Sequence, residues 1–90
     1  MSTVSDTNEN AIWARVIHPE RGNLPAGAAQ YLLSLEFDAS DLNRMHELAE
    51  KNQKGELSVA EVDELRRFRQ VGLQIDLLRS KARLALRELP

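Results

Sequence analysis

A proline-free stretch, residues 58–89, constrains this chain more than any other feature. It opens on Ser58-Val59-Ala60-Glu61, a capping box, and continues to Leu89 in good helix formers. This predicts one unbroken helix, well beyond the globular mean of about eleven or twelve residues. In a chain of 90 residues, a helix that long overshoots its own domain and needs a covering surface: another protein, a second copy or a grooved ligand. The feature therefore points to binding rather than catalysis.

The apolar rhythm changes along this helix. Val59, Val62, Leu65 and Phe68 recur every three residues, a stripe suited to packing on neighbouring helices of the same chain. From Phe68 the spacing alternates threes and fours through Val71, Ile75, Leu78, Ala82, Ala85 and Leu89, the rhythm of a coiled-coil seam. Leu73, Leu77, Leu84 and Leu86 lie off that seam and widen the apolar surface. The second half is thus expected to be offered to a partner or a second copy, the alternative being that it folds back over its own helical hairpin. Gly72 costs about 1 kcal/mol relative to alanine inside a helix and is read as a close crossing or a kink.

The preceding residues fill out an all-α chain. Residues 1–10 are polar and are expected to be disordered. Residues 11–17, AIWARVI, are too short for periodicity to choose between strand and helical turn; with the loop that follows His18-Pro19 they form an extended or irregular arm, 11–24. Pro25 opens a first helix, 25–36. Asp38 is placed to cap a second, 39–53, with Asp41 in its first turn and Leu42, Met45, Leu48 and Ala49 on one face. Gly55 terminates that helix in a left-handed conformation. The expected architecture is a single helical domain, 11–90, in which a helical hairpin precedes the long helix, 58–89, with assembly through the seam.

Little in the composition supports catalysis. Cysteine is absent, which removes thiol nucleophiles and thiolate metal sites and suits a reducing cytoplasm. The chain starts without a secretory pattern and holds no apolar run long enough for a membrane span, so a soluble cytoplasmic protein is expected. Glu50, Asn52, Gly55, Ser58 and Glu61 trace the outline of a calcium loop, but Lys54 stands where an oxygen ligand is required and Lys51 adds a second cation, so the segment reads as a turn. His18 and His46 have no third ligand placed by spacing, and phosphate-loop, nucleophile-elbow and zinc-helix patterns are missing. No enzyme activity and no cofactor are expected.

Charge is divided unevenly. Residues 1–50 carry eight acids against three arginines, net −5, whereas residues 66–90 carry seven bases against two acids, net +5. Arg66, Arg67, Arg69, Arg79, Lys81 and Arg83 are candidate nucleic-acid contacts. A sequence pI near 5.6 favours the alternative, a wet basic face whose arginine stems cover apolar surface. The partner-binding candidates are Trp13, Arg15 and Ile17 in the arm, with Phe68, Val71, Ile75, Leu78, Ala82 and Ala85 along the seam.

Arg15-Val16-Ile17 with Pro19, Ala29, Leu33-Ser34-Leu35, Phe37, Asp41, Gly55, Leu57, Glu61, Glu64-Leu65 and Ser80-Lys81-Ala82-Arg83 together give the chain a further likeness. In these residues it resembles a family of short, uncharacterised bacterial helical proteins, over nearly everything after the polar start. Members of that family are often encoded beside small nucleases of the HNH type. The resemblance implies an antitoxin-like or accessory role with a nuclease as protein partner. The acidic front half suits such a role, because it can cover a cationic nucleic-acid channel. Homo-oligomerisation through the seam and nucleic-acid binding by the basic tail are the alternatives.

Overall fold

The structure, a computed structural model, describes residues 7–89 and is all-α: α1 Glu9–Ile17, α2 Ala26–Leu33, α3 Ala39–Gln53 and α4 Val59–Glu88. The expectation of disorder for 1–10 lies outside the described residues as far as residue 6. Beyond that point it is corrected at Glu9 and Asn10, which are helical. The arm is corrected too, since residues 11–17 continue the same helix. The reason is local: Asn8 has extended dihedrals and its side-chain oxygen accepts from the Ala11 N–H at 3.0 Å, while Glu9 supplies an acid to the first turn. His18 stops α1 at φ 54°, and the loop through residue 23 follows.

Two further ends have identifiable chemistry. After Leu33 the bonds tighten to Ser34 N–H on Tyr31 O and Leu35 N–H on Leu32 O, and the Ser34 hydroxyl also donates to Tyr31 O, so α2 stops short of residue 36. α3 closes in a Schellman motif: Gly55 at φ 67° donates to Asn52 O at 3.1 Å and Glu56 donates to Lys51 O at 2.8 Å. Asp38 occupies the N-cap position of α3, but its side chain makes no capping bond. Ser58 and Glu61 form the reciprocal capping box of α4, each bond 3.1 Å long.

The described residues gather into two compact units. Among them the first takes 7–35 and 73–89, the second Glu36–Gly72. In the first, Ala29, Ala82 and Ala85 form a buried cluster with Leu24, Leu32, Leu33 and Leu86 packed against it. The expected close crossing falls here and not at Gly72, where an added Cβ would meet nothing within 4 Å. At Gly22 a Cβ would lie 2.8 Å from the Ala85 Cα and 2.9 Å from its nitrogen, so the loop runs directly over α4 backbone.

In the second unit α3 and the start of α4 form a hairpin around Leu48 and Leu65, both buried. Phe37 and Phe68 meet edge to face with ring centroids 6.1 Å apart.

Candidate functional site

Burial divides the candidate residues sharply. Ala82 and Ala85 are 0% and 2% exposed inside the first unit's own core, and Ile17 is buried as well, so none of the three is available to a partner. The heptad spacing identified a real apolar face, but this chain covers that part of it. Small side chains at 82 and 85 let the neighbouring backbone come close, as the Gly22 approach shows. Ile75 and Leu78 are half-buried in the same unit, whereas Val71, in the second unit, is 42% exposed.

What the first unit leaves open is the outer face of α1. Ile12 and Val16 stand one helical turn apart, with Trp13 beside them in the row that leads to buried Ile17. Ile12, Trp13 and Val16 are 44%, 37% and 67% exposed, an apolar strip of one aromatic and two β-branched side chains on a helix of nine residues. Arg15 is exposed on the same helix. Glu9 is engaged, accepting from Gln74 at 2.9 Å. Trp13 and Arg15, named from the sequence as partner-binding candidates, are both exposed here. Ile12 and Val16 were not among the partner-binding candidates, and the signal that would have added them is their i, i+4 spacing once Asn8 is recognised as an N-cap.

The basic candidates also separate. The Lys81 ammonium donates to three oxygens of one loop: His18 O at 3.3 Å, Arg21 O at 2.8 Å and Asn23 Oδ1 at 2.7 Å. Arg79 donates to Leu35 O just beyond the C-terminal end of α2. Both act inside the first unit, as positive groups that satisfy backbone carbonyls. Arg66 pairs with Asp63 at 3.1 Å on the helix surface, and Arg67, Arg69 and Arg83 are exposed. The basic candidates thus divide into two internal clamps, Arg79 and Lys81, and a set of exposed arginines, Arg66, Arg67, Arg69 and Arg83.

The titratable cluster of the second unit is structural in the same sense. Arg44 grips Glu64 with both arms, at 2.7 and 2.8 Å, and reaches Glu61 at 3.2 Å. Lys51 donates to Glu61 at 2.7 Å. The Lys51 bond, the Ser58 backbone N–H and Arg44 pull the Glu61 carboxyl down to about 2. Arg44 likewise lowers Glu64, and the Glu64 carboxylate raises Arg44 in return. Glu61 is therefore spoken for by two cations and a helix cap, and Lys51, which spoiled the calcium outline in the sequence, is one of them. Among the described residues no group of three or more His, Asp or Glu side chains is placed to hold a metal ion. His46 is exposed on α3.

The second unit also carries an apolar groove of about 330 Å³, floored by Phe37, Phe68 and Val71 and edged by Asp41 on the α3 side and by Glu64 and Arg67 on the α4 side. Among the described residues no helix is long and apolar enough to cross a membrane. Comparison with protein-family models, with curated proteins and with solved structures gives no match to this chain.

Proposed function

We propose that this chain is a non-catalytic protein-binding module whose contact surface is the outer face of α1, and that its partner is a nuclease of the HNH type, which it inhibits or assists. The observation that carries the binding role is the exposed Ile12, Trp13 and Val16 strip. Tryptophan is among the residue types enriched at interface anchors, and a helix that turns a tryptophan and two β-branched residues to water while burying only Ile17 leaves much of its apolar surface uncovered. The non-catalytic reading is supported by the use made of the perturbed carboxylates: Glu61 and Glu64 are committed to Arg44, Lys51 and the α4 cap. The choice of a nuclease rests on the family resemblance and on the −5 charge of residues 1–50, which complements a cationic nucleic-acid channel.

The test is titration of an HNH-type nuclease from the same genome with the purified chain, read by calorimetry and by DNA cleavage. A stoichiometric complex with a changed cleavage rate is expected, and Trp13→Ala should weaken it by about 30-fold, the effect of losing an interface anchor of about 2 kcal/mol. Absence of a complex at micromolar concentrations with unchanged cleavage overturns the nuclease assignment. A complex that Trp13→Ala and Val16→Asp both leave intact overturns the α1 surface.

A further inference from the structure

We infer that the Phe37, Phe68 and Val71 groove of the second unit is a self-association surface that takes the same groove of a second copy across a two-fold axis. The geometry of the charges carries this. The groove has an apolar floor and lips of opposite sign, Asp41 on the α3 side and Arg67 on the α4 side. Both lip residues are exposed, and neither has an ion-pair partner among the described residues. The third charged lining residue, Glu64, is held by the bidentate bond from Arg44, and the nearby Arg67 charge also favours its carboxylate, while the outer side of Arg67 stays exposed.

A partner chosen only for apolar character would not need opposed lips. A strongly basic or strongly acidic partner would be attracted by one lip and repelled by the other. A second copy turned about an axis along the groove satisfies both, because that rotation carries each lip onto the other. Asp41 of one copy then meets Arg67 of its partner, and the reverse pair forms at the same time, as an isologous interface requires. The same rotation sets apolar floor against apolar floor, covering Val71, which is 42% exposed in the single chain. Phe37 and Phe68 hold each other edge to face, so the floor is already in shape before association. This moves the self-association expected for the long helix away from Ala82 and Ala85, which the chain buries itself, and onto Phe68 and Val71.

The experiment is sedimentation equilibrium of the full chain with a charge-swap cycle. The wild type should show a concentration-dependent monomer–dimer equilibrium that weakens with added salt. Asp41→Arg and Arg67→Asp each place like charges in contact twice per dimer, and each should raise the dissociation constant by at least about tenfold. The double variant, which exchanges the lips, should return to within about threefold of wild type. Val71→Asp should give a monomer with unchanged helical circular dichroism, and Trp13→Ala should leave the mass distribution as it is, which separates this surface from α1. A concentration-independent monomer overturns the inference. So does a dimer insensitive to both single swaps, or one that the double swap fails to restore.

Discussion

The two units solve the same problem, holding helices together in a small chain, with opposite materials. The first packs Ala29, Ala82 and Ala85 at the centre and brings a glycine loop to within a Cβ of the α4 backbone; the second centres on Leu48 and Leu65 and ties its hairpin with Arg44, Lys51, Glu61 and Glu64. One is an approach of backbones, made possible by missing side-chain volume. The other is a spacing of backbones, filled by large side chains and bridged by long charged ones. A core of small residues is broken by adding atoms, and a core of large ones by removing them.

That contrast fixes the order of the mutational effects. Leu48 is fully buried, so Leu48→Ala should cost about 3 kcal/mol in urea denaturation, through lost burial and the cavity left behind. The contrast predicts the reverse sense for the first unit. Ala82→Leu should cost about 2 kcal/mol, because Ala82 is fully buried and the added branch must displace Ala29 or Leu33. Should Ala82→Leu stabilise the protein instead, the first unit has an unfilled core and the distinction collapses. Gly55→Ala, at φ 67°, should cost about 1 kcal/mol by conformational strain alone, since an added Cβ there meets nothing within 4 Å. A loss much larger than that would show that the turn is held by contacts and not by its backbone conformation.

The same division governs what could be read from the sequence. Gly55, Ser58 and Glu61 were legible because their chemistry is local: a left-handed C-cap and a capping box each close within a few residues, and both formed as expected. The extent of α4 followed from the absence of proline and the continuity of good helix formers. The N-terminal helix was not legible as such, because residues 11–17 are too few to show a period and the signal lies outside them, in Asn8 and Glu9. The seam was half legible. Alternating threes and fours locate an apolar face but carry no information on what covers it, and at Ala82 and Ala85 the answer was this chain's own α2 and loop. Lys81 and Arg79 were misleading for a related reason: the carbonyls they serve lie far away in sequence, so only folding shows that these cations face inward. Residue size at 82 and 85 was the overlooked clue, since alanines in a seam indicate backbones in close approach.

The finest test of the contrast is electrostatic, and its sign follows from Glu61. Its folded-state pKa of about 2 lies below the ordinary 4.5, so the native chain favours the carboxylate more than the unfolded chain does. The resulting stabilisation is fully present above pH 4.5 and is lost progressively as pH falls from there towards 2, where the folded state must also take up the proton. Glu64, lowered by Arg44, adds to the loss with the same sign. Thermal melts between pH 5 and pH 2 should therefore show a falling midpoint. Glu61→Gln should flatten that fall while keeping the cap, because glutamine at the third helical position can still reach the Ser58 N–H. The effect should be the smallest of the set, since these groups are reached by solvent and screened by salt. Ala82→Leu should leave the slope unchanged, because the alanine core titrates nothing. If Glu61→Gln and wild type instead melt in parallel across this range, the second unit is held by Leu48 and Leu65 alone, and the difference between the two units is one of side-chain size without a contribution from charge.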